Sequence, residues 1–394
     1  MSEWKKVKLG EICGRVTSGG TPKANVSSYY NPPTIPWLKT KEVNYCRITE
    51  TENYISEEGL KNSSAKIISP NSVIIAMYGQ GDTAGRVAIN KIPLATNQAC
   101  CNLTIDKSKA DYEFIYYQLC TLYDKLVSLK AGAAQPNLNA RIIKNLEIIM
   151  PSLPIQHRIA TILSRYDSLI ENYQKQIKLL EEAAQRLYKE WFIDLRFPGH
   201  ENTNIIDGVP EGWEKKKLHE IAEVVMGSSP KSEFYNNDKQ GLPFHQGVGS
   251  YGTRFVDDNV YSTSITRLAE PNSILFSVRA PVGRLNITKN KIIIGRGLAA
   301  MNHKDGFQSF LFYMLKERFF MDNIIGNGSI FASISKVELL DQEFIVPPMK
   351  TIKAFESLAS KLDKKIQGVD TQLRLLTEAR DRLLPKLMSG EITV

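Results

Sequence analysis

The sequence predicts an α+β chain: two similar mixed α/β domains joined by two long helices that pair as an antiparallel coiled coil, a pseudo-two-fold dumbbell. Three observations predict it. The chain is written twice, the early part of each copy is β-rich, and the late part of each carries a heptad repeat. Its 394 residues exceed one compact domain, for which roughly 100–200 is usual.

The opening W-K-K-V-K-L-G-E-I (4–12) returns as W-E-K-K-K-L-H-E-I (213–221). A Gly-bearing polar turn and Pro-Lys follow in both copies, at Pro22-Lys23 and Pro230-Lys231. S-P-N-S-V-I-I (69–75) answers E-P-N-S-I-L-F (270–276), and Gly85-Arg86 answers Gly283-Arg284. Later matches keep one spacing: Gly132 with Gly328, Leu138 with Ile334, Pro151 with Pro347 and Leu179 with Leu375 each lie 196 apart. So long a period marks a duplicated domain pair and not a solenoid. Between these frames the copies part, and residues 34–62 bear little resemblance to 241–266.

Short β-rich runs, such as 72–77 and 273–278, alternate with turn residues, and one helical patch interrupts each copy, around 112–130 and 307–323. Past the prolines at 151, 154, 347 and 348, apolar residues recur at spacings of four and three. The first row runs from Ile159 and Leu163 to Leu187 and Trp191, the second from Phe355 and Ala359 to Leu383 and Leu387, with Arg380 interrupting it. A 3.5-residue apolar period specifies a coiled coil, here a rod of about 55 Å at 1.5 Å per residue. A parallel pair would crowd both domains at one end, which favours the antiparallel sense. The expected segments are 1–150, 151–195, 196–346 and 347–394.

Composition narrows the function. With 42% apolar and 23% charged residues, the chain reads as globular. No apolar run reaches the ~18 residues of a membrane span, and the start lacks a signal-peptide pattern, so a cytoplasmic protein is expected. Five cysteines without a C-x-x-C pair suit neither a disulfide framework nor a zinc site, and Cys100-Cys101 reads as a pair of buried small hydrophobes. His157, His200, His219, His245 and His303 show no ligand spacing. A net charge of +8 favours a polyanionic partner. There is no G-x-x-x-x-G-K-[ST] loop. Asn31-Pro32-Pro33-Thr34 lacks the aromatic residue of a methyltransferase motif, and Gly79-Gln80-Gly81 is followed by a strand-like run where a dinucleotide site needs a helix.

The ordered, doubled motifs resemble one family, the specificity (S) subunit of type I restriction-modification enzymes, over essentially the whole chain. Besides the two openings, the likeness rests on T-S-G-G-T-P-K (17–23), I-P-W-L-K-T (35–40), N-S-V-I-I-A (71–76) and T-N-Q-A (96–99). P-x-x-P-I-Q-H-R-I-A (151–160), L-L-E-E-A-A-Q-R-L-Y-K-E-W-F-I-D (179–194) and R-F-P-G-H-E (196–201) before P-E-G-W (210–213) complete it. The resemblance implies two target recognition domains, each reading one half of a bipartite double-stranded DNA target. It implies spacer helices that set the gap and dock modification subunits, which bind S-adenosylmethionine and methylate adenine. Restriction subunits using ATP and Mg would complete an endonuclease, and the chain itself would be non-catalytic, holding neither cofactor nor metal.

Reading DNA needs cations and small polar groups for phosphates, and forked donors or amides for base edges. In the first domain the candidates are the turn with Ser18, Gly19, Gly20, Thr21 and Lys23, then Lys39, Lys41, Tyr78, Gln80, Arg86, Thr96, Asn97 and Gln98. In the second they are Ser228, Ser229, Lys231, Gln246, Arg254, Arg279, Arg284 and Arg296. Arg86 and Arg284 occur in both copies, so a structural turn with a salt bridge is an equal reading for them. Arg279 and Arg296 occur in one copy only, as base reading would require. Tyr188, Trp191 and Phe192 must be covered by a domain or by a subunit. Three other functions fit parts of this pattern: an orphan or methylation-only reader, a chain that modifies nucleic acid itself, and a scaffold that binds no DNA.

Overall fold

The structure, a computed structural model, describes residues 4–130, 137–319 and 333–394. The matched Gly132 and Gly328, and the end of the second helical patch, lie outside the described residues. By its contacts the chain divides into two units, Met1–Asn172 with Gln372–Val394, and Tyr173–Thr371. Each of the two long helices is divided between the units.

In unit 1 a five-stranded sheet runs in the order Cys13–Ser18, Cys100–Ile105, Val73–Ala76, Val87–Asn90, Cys46–Ile48. A four-stranded sheet of Tyr54–Ile55, Ile35–Leu38, Leu94–Thr96 and Ile67–Ile68 lies apart from it in the pairing order. Unit 2 repeats the plan with Ala222–Met226, Leu298–His303, Ile274–Ser277 and Leu285–Ile287 in one sheet. Its second sheet is Tyr235–Asn236, Tyr261–Ser262, Leu242–His245, Ile292–Ile294 and Leu268–Ala269.

The repeated motifs have local causes. In L-x-E-I, Leu9 and Leu218 are fully buried, and their amides bond Leu146 O and Gln342 O, both at 2.9 Å. The glutamates turn back to accept from the backbone, Glu11 from Lys8 N at 3.3 Å and Glu220 from Lys217 N at 2.7 Å. In P-N-S, Asn71 and Asn272 both sit at φ 66°, a left-handed conformation asparagine tolerates better than most residues. Gly85 and Gly283, at φ 95° and 87°, close the turn after the central strand, where a side chain would be strained.

The diverged middles hide a shared strand. Ile35–Leu38 lies parallel to Leu94–Thr96, and Leu242–His245 lies parallel to Ile292–Ile294. I-P-W-L and L-P-F-H are therefore equivalent in the fold, although the stretches that hold them differ in sequence.

Two helices dominate the remainder, α1 (Leu153–Phe192) and α2 (Met349–Ser389). In unit 1, Ile159 and Leu163 of α1 share a core cluster with Phe114, and with Leu387 and Met388 of α2. In unit 2, Ala184, Tyr188, Trp191 and Phe192 of α1 join Phe310 and the α2 residues Ile352, Phe355 and Ala359. In each unit an early stretch of one helix faces a late stretch of the other, the antiparallel sense. Trp191 and Phe192 are buried in their own unit's core, each against Phe355. Helix α2 runs on through Pro385, and its last turn is held by buried Leu387 and Met388.

Candidate nucleic-acid interface

In each unit, backbone bonds draw four chain segments to one corner. In unit 1 the turn after Cys13–Ser18 is tied down by Gly19 N to Cys100 O (3.3 Å) and Gly20 N to Thr96 O (2.9 Å). Asn97 N bonds Leu38 O (2.9 Å) and Met77 N bonds Ala99 O (2.8 Å). Unit 2 reproduces all four, with Gly227 N to Leu298 O (2.9 Å), Ser228 N to Ile294 O (2.9 Å), Gly295 N to His245 O (2.8 Å) and Val278 N to Gly297 O (2.9 Å).

The residue following each anchor is then equivalent by position. Thr21 matches Ser229, Lys39 matches Gln246, Tyr78 matches Arg279, and Gln98 matches Arg296. All eight were legible as candidates, and the backbone anchors bring their segments together four by four. Thr21 Oγ1 donates to Gln98 Oε1 in unit 1, whereas Ser229 Oγ donates to Gln246 Oε1 at 2.7 Å in unit 2. A hydroxyl at one fixed place thus orients a glutamine supplied by different loops. Lys39 lies over the Trp37 ring at 5.1 Å and bonds Asn53 Oδ1 at 2.8 Å. Arg279 and Arg296 are exposed, and the Arg296 amide donates to Ser229 Oγ at 3.2 Å.

Other candidates lie elsewhere. Ser18 ends its strand and is exposed, while Asn97 is half-buried. Lys23 and Lys231 are exposed on the turns, the latter 3.9 Å from Glu233. Exposed Lys41 stands 3.9 Å from Glu52, and Gln80 is exposed in the loop before Gly85. Arg86 pairs with Asp82 at 2.5 Å and bonds Asn44 at 3.0 Å. The hydrogen bond from Arg86 holds the Asp82 carboxyl below its ordinary range. Arg284 is exposed, its amide donating to Ser277 Oγ at 2.8 Å.

Several expectations need correction. The amides of Gly19, Gly20 and Ser228 are spent on the frame and cannot serve phosphates. Thr96 is fully buried, its hydroxyl oxygen accepting from Asn102 Nδ2 at 2.8 Å. Arg254 is only 3% exposed. It reaches Asp363 Oδ1 at 2.7 Å, lies 3.7 Å from Glu181 Oε1 and stacks 3.7 Å over the Phe312 ring. Its guanidinium belongs to the interior of unit 2, because a charge so enclosed persists only with its carboxylate partners.

Sequence reasoning missed the counterpart, Arg47. Its side chain is 6% exposed and lies 3.4 Å from Asp167 Oδ2 and 3.2 Å from Glu171 Oε1. It also donates to Tyr117 Oη at 2.9 Å, while Tyr117 donates to Asp167 Oδ2 at 2.6 Å. Burial pushes the Tyr117 hydroxyl upward, and Asp167 adds to the shift. Tyr313 repeats this in unit 2, donating to Asp363 Oδ1 at 2.8 Å. Part of this lies in the spacing: Tyr117 and Tyr313 are 196 apart, as are Asp167 and Asp363, while each arginine stands nine residues beyond a strand whose equivalence only the structure shows.

Cys100 and Cys101 are buried and free, and burial pushes the Cys101 thiol up to about 12. Among the described residues, no cluster of His, Cys, Asp or Glu is arranged to hold a metal ion, and no helix is long and apolar enough to cross a membrane.

A duplicated frame presenting different polar corners defines a class: a two-domain module whose shared scaffold carries distinct polar surfaces. The family model described as the type I restriction modification DNA specificity domain matches residues 1–182 and again 210–373, and the chain belongs to that family. Specificity subunits are the non-catalytic members of type I restriction-modification enzymes. Similar relatives include the type I restriction enzyme MjaIX specificity subunit of Methanocaldococcus jannaschii, 31% identical over 100% of this chain and 94% of that one. The putative MjaX specificity subunit of the same organism is 27% identical over 100% and 94%. The crystal structure of the type I restriction-modification S subunit from M. genitalium shares the fold, with a TM-score of 0.65 at 18% identity, covering 98% of this chain and 96% of that chain.

Proposed function

We propose that this chain reads a split double-stranded DNA sequence, one half through the Thr21–Lys39–Tyr78–Gln98 corner and the other through Ser229–Gln246–Arg279–Arg296. The observation that carries the reading is the substitution of chemistry on an unchanged frame: equivalent backbone anchors present lysine, tyrosine and glutamine in one unit, glutamine and two arginines in the other. Arginine forks suit guanine edges and carboxamides suit adenine. Lys23 and Lys231 serve phosphates, which fix the approach without reading sequence.

In this reading the helices set the gap between the halves and dock the modification subunits. Leu179 and Leu375 support that role, since they occupy equivalent positions and are both more than half exposed, offering the same apolar point to two identical partners. S-adenosylmethionine belongs with those partners, and ATP and Mg with the restriction subunits, all acting on DNA in the cytoplasm. The test is to map methylated adenines in DNA exposed to the full chain together with its modification partner. A split motif with a fixed gap is expected; a contiguous motif, or none, contradicts the reading.

A further inference from the structure

The two buried arginines carry an inference that rests on the reading above. Arg47 lies on the strand Cys46–Ile48, paired opposite Ile89. Arg254 lies beside the isolated bridge from Phe255 to Ile287, with the backbone one residue out of step relative to unit 1. The segments bearing them differ in sequence, yet both guanidiniums arrive at the same Tyr–Asp pair. In each unit that pair joins the globular part to a helix: Tyr117 to Asp167 of α1, and Tyr313 to Asp363 of α2. The other helix also closes on each site, through Arg380 to Asp167 at 2.9 Å and through Glu181 to Arg254 at 3.7 Å.

We infer that Arg47 and Arg254 are positioning residues for gap selection, each locking its domain's variable segment to the helix pair in a single orientation. The reason is geometric. Changing the gap by one base pair moves the second half-site about 3.4 Å along the DNA and about 34° around it. A purely apolar seat can slide and turn under that demand, whereas a buried guanidinium held by a carboxylate and a phenol is directional. The chain thus has a device that resists rotation of each reader on its helices, separate from the corner residues that touch bases.

The test uses the full chain with its modification partner and DNA carrying the same two half-sites at the preferred gap and at one base pair more or less. The ratio of methylation at the preferred gap to that at the neighbouring gaps should fall at least about fivefold in Arg254→Met and Arg47→Met. Half-site bases should be unchanged, and Arg254→Lys should restore part of the ratio. Tyr313→Phe and Tyr117→Phe, which keep the buried charges paired, should lower the ratio less and serve if the methionine variants do not fold. An unchanged ratio in the folded variants, or an equal loss at every gap, overturns the inference. Absence of any split motif with the unaltered chain would instead count against the proposed function.

Discussion

The two units compare most instructively where they fill the same space with different chemistry. Unit 2 seats its globular part on the helices through aromatic rings: Tyr188, Trp191, Phe192 and Phe310 gather around Phe355 with ring centroids 5.1–6.3 Å apart. At equivalent positions, 196 residues away, unit 1 has Leu384, Leu387, Met388, Phe114 and Ile159, all within or against its own core cluster. Seat and frame are held in common while fillings and corner residues vary. A duplicated gene can change what is read without changing how the reader is mounted, provided volume and backbone anchors persist.

Three substitutions and a titration test whether the two units keep separate seats and separate corners. The largest effect is expected in the seat. Phe355→Ala should cost unit 2 about 3–5 kcal/mol, read as a lower midpoint in denaturant, and unit 1 should keep its own transition. Next comes the clamp of unit 1, where Asp167→Asn leaves Arg47 and Arg380 without their shared carboxylate and should cost about 3 kcal/mol, with unit 2 unaffected. Loss of stability in both units together, in either variant, contradicts separate seats.

At the corners smaller changes are expected. Lys23→Ala should weaken binding evenly across sequences and lower the slope of affinity against salt by about one; a change confined to one base pair would recast Lys23 as a base reader. The smallest effect is pH-dependent. His303 is buried, which holds its pKa below the usual 6.5, while unit 1 has Ile105 at the equivalent place. The unfolded histidine binds a proton more readily than the folded one. Unit 2 should therefore lose stability as pH falls through about 6.5 toward the lowered folded value, and His303→Ile should remove that part of the loss. A denaturation series from pH 7.5 to about 5 decides it.

Much of this was legible in the sequence. The repeat and the antiparallel helices follow from spacing and residue type, because both frames keep backbone requirements such as the left-handed asparagines and the turn glycines; the eight corner residues stood in the sequence only among a longer set of candidates. Availability was not legible. Arg254 and Arg279 look alike as exposed cations in a linear text, yet one is enclosed by Phe312, Tyr313 and Asp363 and the other faces solvent. Only the packing of α2 against the sheet decides between them. Likewise Thr96 reads as a polar loop residue until the pairing of Leu94–Thr96 with its neighbours buries it. Arg47 and Arg254 both lie in diverged segments, and their equivalence is set by a shared Tyr–Asp contact, not by a shared text.

The measurement that bears most directly on the account is the recognition motif of the full chain with its modification partner, compared with that of two variants, Gln98→Ala and Arg296→Ala. Each should lose discrimination, about 1–3 kcal/mol at one base pair, within one half of the split motif only, and the affected halves should be opposite. If both variants altered the same half, or either altered both, separate readers on a shared frame would be contradicted.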